Sequence, residues 1–250
     1  MDVSWVEVAV VVVMAFAAAL TQSTVGFGAA IVFTPVASFA VGAQSAVATS
    51  IIFGSVISTI VFLESRPRAA LGPIAPLAVA GVLGTPIGVW ILAHSDETTL
   101  RLLVGTSVLA GAITTMFGHT NPEARPAPLP LTAAAGLVSG TLRGATSMGG
   151  PPVVLYMHWL GGDAMRIRSQ LFAYFVLFAI PGIPLAWIGG VIGMKEVVLA
   201  TASLPAVGLG ILVGRSVRGR LSDVWYRRTS MGLLVVTSSI AITGAVMAIV

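Results

Sequence analysis

Long apolar stretches recur along the whole chain, and this feature restricts the fold more than any other. Most of them are long enough to cross a hydrocarbon core of about 30 Å as a helix. Only 9% of the 250 residues are charged, whereas a soluble domain has about 25%. The sequence therefore predicts an all-α protein, a polytopic transmembrane helical bundle. Its apolar segments lie at about 3–20, 29–41, 46–63, 70–93, 99–117, 129–142, 149–160, 169–192, 197–213 and 229–249.

The charged and reactive residues exclude several classes of function. The net charge of +4 comes from arginines scattered between apolar segments, so we expect no nucleic-acid partner. With no cysteine and three dispersed histidines, we expect no metal, cofactor or redox chemistry. The carboxylates lie near segment ends rather than in a cluster, so we expect no catalytic residues and no enzyme. No Lys or Arg precedes the first apolar segment, which argues against a cleaved signal peptide.

A proline-rich connection divides the chain into two halves. Residues 119–130 contain four prolines, and we interpret them as a linker. An N-terminal transmembrane repeat at 1–118 would precede it, and a C-terminal transmembrane repeat at 131–250 would follow.

The two halves resemble each other. One offset aligns Ser50 with Ser169, and a slightly larger offset aligns Gly88 with Gly214. Each half also carries a short apolar segment after a glycine-rich turn. Paired halves with short, Gly/Pro-interrupted segments are the sequence pattern of a transporter binding site.

Positive charges predict the orientation in the membrane. If all ten segments count, the odd-numbered connections hold ten arginines and the even-numbered ones hold only Arg101, Arg143 and Lys195. The positive-inside rule then places both termini outside. Five segments per repeat would make the repeats inverted relative to one another. If the two short segments are loops instead, the chain has eight spans and parallel repeats, and this alternative stays open.

The short segments predict hairpins with tips inside the bilayer. Residues 149–160 rise only about 18 Å at 1.5 Å per residue, so the turn from Arg143 to Gly150 would fall short of the far interface. Non-helical backbone at that depth needs protein or a polar cavity around it. Each short helix would begin at its tip, and its free N–H groups favour an anion. We therefore expect the two tips to face each other across an anion-binding cavity.

The candidate substrate-binding residues are the polar residues, the glycines and one proline at and beside these tips. Arg143 is the strongest of them, because an ionisable side chain at a helix centre costs about 2.5–3.5 kcal/mol on insertion scales. An anion would offset that cost, although Arg143 could instead snorkel to the outer interface. Arg168 is a second candidate, and its position beside Arg166 also fits a topological role. The full set is Gln22, Ser23, Thr24, Gly26, Gly28, Thr49, Ser50, Arg143, Ser147, Gly149, Gly150, Pro151, Arg168, Ser169 and Gln170.

Two motifs resemble those of a known family. The first is Ser23-Thr24-Val25-Gly26-Phe27-Gly28, followed by Thr34-Pro35 and Ala48-Thr49-Ser50. The second is Gly136-Leu137-Val138-Ser139-Gly140, followed by Gly149-Gly150-Pro151-Pro152-Val153-Val154-Leu155-Tyr156 and Arg166-Ile167-Arg168-Ser169. Together they resemble the two repeats of the sulfite exporter TauE/SafE family, also described as toluenesulfonate uptake permeases, over nearly the whole chain.

The resemblance implies a multi-pass carrier of the bacterial inner membrane. Its expected substrates are small sulfur-containing anions such as sulfite, sulfoacetate or other sulfonates, bound between the tips, and export is the expected direction. One departure is Ala29-Ala30, where many relatives continue the glycine-rich run. The expected partners are the anion and the lipid bilayer, and a homodimer stays open. The alternatives are a non-transporting membrane assembly subunit and a carrier of non-sulfur organic anions.

Overall fold

The regular structure of the described residues is helical. The computed structural model describes residues 4–65, 74–117, 128–161 and 164–218, and its helices there match nine of the expected segments. They confirm the all-α prediction, while segment 229–249 and residues 119–127 of the connection lie outside the described residues. The helices are α1 (Trp5–Val25), α2 (Ala29–Val41), α3 (Ala43–Ser65), α4 (Ala75–His94), α5 (Glu97–Phe117), α6 (Leu129–Thr146), α7 (Gly150–Leu160), α8 (Ala164–Ile188) and α9 (Met194–Arg218).

Within these ranges, five helices are long and apolar enough to cross a membrane. Their spanning parts lie in α1, α3, α4, α8 and α9, and α2 is a shorter apolar helix. Many of their large apolar side chains face outward, such as Trp90 and Leu83, which are 62% and 65% exposed. Lipid is the solvent that such a surface requires. The chain is therefore a multi-pass membrane protein.

Local capping sets two of the helix starts. Ser4 and Glu7 form a capping box at the start of α1, in which each side chain accepts from the other's backbone amide. Before α5, the Asp96 carboxylate accepts from the hydroxyl and the amide of Thr99. These two hydrogen bonds hold the pKa of Asp96 below its ordinary value.

Polar contacts bring several helix starts to one end of the bundle. The start of α1, the junction between α2 and α3, and the starts of α5 and α9 meet there. Because α1 begins and α2 ends at this end, the turn between them points into the bundle. The contacts are Lys195 to Glu7 (2.9 Å), the Ala43 amide to Glu97 (2.9 Å) and the Ser45 hydroxyl to Glu196 (2.6 Å). At the opposite end, Arg215 of α9 pairs with Glu64 of α3.

Helices α4 and α6 pack with their backbones in direct contact. A methyl group on Gly144 of α6 would lie 2.7 Å from the carbonyl oxygen of Thr85, and one on Gly136 would lie 2.5 Å from that of Leu77. Gly140, between them, faces the backbone of Gly81. Real side chains do not fit at such distances, so glycine is required along this crossing.

A second glycine crossing joins α1 to α9. A methyl group on Gly210 would lie 2.6 Å from the Phe16 carbonyl oxygen and 2.9 Å from Ala19. Gly214, one turn further along α9, contacts Ser23 in the same way. Both crossings thus pack a helix that ends in a hairpin tip against a long helix of the other half of the chain.

The core lies around α3, which packs against α2, α8 and α9. Phe53 of α3 and Phe172 of α8 are fully buried in it, as is Phe33 of α2, whose ring meets Phe53 edge-on with centroids 4.6 Å apart. This core fixes α3 and α8 beside the two hairpins.

Candidate functional site

The first hairpin turns at Gly26 to Gly28, between α1 and α2. Gly26 caps α1 with φ 106° and donates its amide to the Gln22 carbonyl at 2.8 Å. Gly28 precedes α2 with φ 101°. Both values lie in the left-handed region, which glycine adopts without a steric cost. Gln22 to Thr24, expected on the tip itself, are instead the last turn of α1.

The second hairpin turns in the same way between α6 and α7. Ser147 caps α6 with φ 61° and donates its amide to the Arg143 carbonyl at 2.8 Å. Met148 and Gly149 complete the turn before α7 begins at Gly150. The sequence placed Arg143 on the tip, and that boundary is wrong, because α6 continues through Thr146 and leaves Arg143 in its last turn.

One narrow cavity lies between the two tips. Its volume is about 30 Å³, and a single buried water needs about 10–15 Å³ by this measure. The Thr34 and Ser147 hydroxyls, one from each hairpin, lie 3.2 Å apart. The lining residues are Gln22, Phe27, Gly28, Ala29, Ala30, Ile31, Ser50, Ile51, Gly54, Arg143, Ser147, Met148, Gly150, Pro151 and Phe175.

Arg143 supplies positive charge to this cavity while it is only 8% exposed. Its guanidinium donates to the Ser55 hydroxyl at 3.3 Å and lies over the rings of Phe178 and Phe175, at 5.0 and 5.9 Å from their centroids. Among the described residues, no carboxylate lies within ion-pair distance of it. Cation–π contacts offset part of the cost of burying a cation. The described residues accept one hydrogen bond from the guanidinium, so they leave most of its five N–H donors available.

Gln22 occupies the corresponding place on the first hairpin. Each of the two side chains sits four residues before the left-handed cap of its helix. The Gln22 amide is 5% exposed and donates to the Ser58 hydroxyl at 2.9 Å. Ser58 and the Ser55 that holds Arg143 lie one turn apart on α3, which therefore supports both side chains from the same face.

The two short helices do not supply backbone donors equally. The first three residues of α2 (Ala29 to Ile31) carry free amides at its start, and all three line the cavity. The first three residues of α7 include Pro151 and Pro152, which have no N–H to donate. Amides thus come mainly from the first hairpin, and the second contributes the guanidinium.

A hydrogen-bond chain supports the second tip from behind. Tyr174 of α8 is fully buried and donates its hydroxyl to Ser139 at 2.8 Å, and Ser139 donates to the carbonyl of Gly149. These two hydrogen bonds therefore fix the turn that carries Ser147 beside the cavity.

Seven of the residues expected at the site line this cavity together. Of the other eight, seven do not line it, and the side chain of Arg168, which belongs to α8, lies outside the described part. Ser23 and Thr24 face α9, and Gly26 and Gly149 belong to the turns without lining the cavity. Thr49, Ser169 and Gln170 are buried elsewhere in α3 and α8. The seven are Gln22, Gly28, Ser50, Arg143, Ser147, Gly150 and Pro151.

Sequence reasoning missed the apolar lining and the supporting serines. Phe27, Met148 and Phe175 face the cavity, but an apolar residue gives no signal in so apolar a chain. One of the supporting serines did leave a signal: Ser58 follows Ser50 and Gly54 at intervals of four residues on α3. That spacing marks one helix face of small and polar residues.

One of the comparisons with known proteins identifies a family. No curated protein and no solved structure gives a significant match to the chain. The profile of the sulfite exporter TauE/SafE family, a family of transporters, matches residues 11–240. That match covers both hairpins, the cavity between them and nearly all of the described helices. The chain is therefore a member of the sulfite exporter TauE/SafE family.

Proposed function

We propose that the protein exports small sulfur-containing anions, such as sulfite, sulfoacetate or other sulfonates, and binds them between its two hairpin tips. The observation that carries this proposal is Arg143, a buried cation that lines the cavity without a carboxylate partner in the described structure. The family membership of the chain supports the chemical class of the substrate.

The free energy of a buried charge favours an anion at this place. A buried ion without a partner costs several kcal/mol, because water no longer solvates it. The aromatic contacts of Arg143 and its one hydrogen bond compensate this cost only in part. An oxyanion could accept two parallel hydrogen bonds from the planar guanidinium, and the amides at the start of α2 could bind its remaining oxygens.

We propose that the two hairpins belong to inverted repeats. Two pairs of contacts support this: α1 packs on α9 through glycines, and α6 packs on α4 in the same way. Since α1 and α6 each open a half, and α4 and α9 are each the fourth helix of a half, the crossings are equivalent. Gln22 and Arg143 are then equivalent too, and the binding site lies on the axis between the repeats.

Binding requires the tips to separate. The cavity has room for about two waters, which is less than a sulfonate needs. The ring of Phe27 lies beside Gly150, where an added methyl group would contact it at 3.6 Å. We propose that a movement of the two tips apart at this contact opens the site to one side of the membrane.

The membrane potential would drive export without a second energy source. An inside-negative potential of about 100 mV favours outward movement of one negative charge by roughly 2.3 kcal/mol. We place the protein in the bacterial inner membrane, where such a potential exists.

Uptake of a radiolabelled sulfonate into proteoliposomes tests the proposal. Wild-type protein should accelerate entry over empty liposomes, and more so when the interior is made positive, while Arg143→Gln should abolish the acceleration. Arg215→Gln, which removes a positive charge from the exposed end of α9, is the matched control and should transport normally. If wild-type liposomes are no faster than empty ones, the chain is a non-transporting subunit, and if only carboxylates enter, the sulfur specificity is wrong.

A further inference from the structure

The two hairpins place different side chains at one equivalent position. Each hairpin turns at a left-handed cap whose amide bonds a carbonyl four residues earlier, and that earlier residue is Gln22 in one hairpin and Arg143 in the other. Both side chains line the cavity, and a serine of α3 holds each of them. The two positions therefore share a helix position and a serine partner, and their side chains differ by one unit of positive charge.

Among the described residues that line the cavity, Arg143 is also the single one with an ionisable side chain. Six lining side chains are apolar and large: those of Phe27, Ile31, Ile51, Met148, Pro151 and Phe175. The polar ones are the Gln22 amide and the hydroxyls of Ser50 and Ser147. The cavity thus holds one full positive charge and neutral donors, in surroundings too apolar to hydrate a second charge.

We propose that this cavity selects monoanions over dianions and that Gln22 determines the selectivity. The inference rests on the proposed transport function and narrows its substrates. Of the anions proposed above, bisulfite and sulfonates with one charge remain substrates, whereas the sulfite dianion and doubly charged sulfoacetate are removed from the set, and sulfate is excluded.

The selectivity follows from the charge balance of a buried site. A monoanion beside Arg143 forms a neutral pair, and its remaining oxygens accept neutral hydrogen bonds. A dianion leaves one net negative charge in a cavity with room for only about two waters, and an uncompensated buried charge is strongly unfavourable. Dipoles and amides stabilise such a charge by much less than a second cation would.

A second cation at position 22 would remove the exclusion of dianions. Gln22 is buried beside the cavity and points its amide at Ser58, just as Arg143 points at Ser55. An arginine at position 22 could therefore reach the same space from the opposite hairpin, and the site would then balance two negative charges.

Binding of matched anions to the purified protein tests the inference. Methanesulfonate and sulfate have nearly the same shape but carry one and two charges. Methanesulfonate should bind at least about tenfold more tightly, because sulfate leaves one buried charge unpaired. Equal or tighter binding of sulfate overturns the inference but leaves the transport function standing. If neither anion binds, both proposals are wrong.

Methylphosphonate provides a test that needs no variant. It changes from one to two charges near neutral pH, whereas methanesulfonate keeps one charge and Arg143 stays protonated. Its affinity relative to methanesulfonate should fall by at least about tenfold as the second proton dissociates. An unchanged ratio overturns the inference.

An arginine at position 22 should abolish the preference for monoanions. Gln22→Arg should bring sulfate binding to at least the level of methanesulfonate binding, while the neutral control Gln22→Met should keep the preference for methanesulfonate. If a folded Gln22→Arg protein still excludes sulfate, Gln22 does not determine the selectivity.

Discussion

Ser147 is unusual at the scale of single residues, because it adopts a conformation that favours glycine. Its φ of 61° is left-handed, and among the described residues it is the one non-glycine residue with positive φ. The equivalent cap of the first hairpin is Gly26. The Ser147 hydroxyl donates to the Thr146 carbonyl and lies 3.2 Å from the Thr34 hydroxyl. These contacts explain why a serine can occupy this position.

Two substitutions at this position should separate backbone strain from hydroxyl chemistry. Ser147→Gly removes the strain and the hydroxyl together, and we expect stability within about 1 kcal/mol of wild type. Ser147→Ala loses the hydroxyl but keeps the strain, and should be less stable than Ser147→Gly by about 1–2 kcal/mol. Thermal unfolding in detergent measures both. Equal stability of the two variants would show that the left-handed cap carries no strain.

The Tyr174 hydroxyl should matter for anion binding although it does not line the cavity. Tyr174→Phe removes the donor to Ser139 and should cost about 1 kcal/mol of stability. Because Ser139 holds the Gly149 carbonyl, it should also weaken anion affinity. Tyr156→Phe is the matched control, since its hydroxyl contacts Thr132 at the other end of the hairpin; it should lower stability alone. Thermal unfolding and anion titrations of both variants test this prediction. Equal anion affinities of the two variants would contradict it.

At the scale of helices, the glycine crossing of α4 and α6 should tolerate no side chain. A methyl group at Gly140 would lie 2.8 Å from the carbonyl carbon of Gly81, and overpacking of this kind costs about 1–3 kcal/mol. Gly140→Ala should therefore destabilise the protein. Gly208→Ala in α9 is the control, because its methyl group would meet nothing within 4 Å, and it should stabilise by up to about 1 kcal/mol. Thermal unfolding of both variants tests this, and a neutral Gly140→Ala would mean that the helices can separate freely.

The sequence predicted the bounds of a helix well where glycines flank an apolar segment. The bounds of α2 coincide with the expected segment at 29–41. It failed at the ends of α1 and α6, where polar residues were interpreted as turn. The reason is that Thr24 and Thr146 donate their hydroxyls to carbonyls one turn earlier in their helices, so a buried helix can satisfy them.

Part of the site followed from the sequence for a similar physical reason. Arg143 stands out because a charge is costly in a membrane helix, and the turns stand out because glycines cluster where each short apolar segment begins. The shape of the cavity did not follow, since its walls depend on which apolar faces of α3 and α8 turn inward. Phe175 illustrates this: it lines the cavity, yet nothing in its sequence surroundings distinguishes it from other apolar positions.

At the scale of the whole molecule, the orientation in the membrane can be tested directly because the chain contains no cysteine. Ser95 lies at the bundle end where α1 begins, and Ser216 lies near the end of α9. If both termini are outside, an impermeant maleimide should label Ser95→Cys in intact cells and Ser216→Cys only after the membrane is opened. The reverse pattern would invert the predicted orientation.

The glycine crossings decide which pieces can travel together. Backbones in direct contact leave no gap in which one helix could slide along its neighbour. One crossing joins α1 to α9 and the other joins α4 to α6. Each tightly packed pair therefore contains one helix from before the proline-rich connection and one from after it. If the tips move apart during transport, each hairpin would therefore move together with a helix from the other half of the polypeptide, so the moving parts would not correspond to the first and second halves of the sequence.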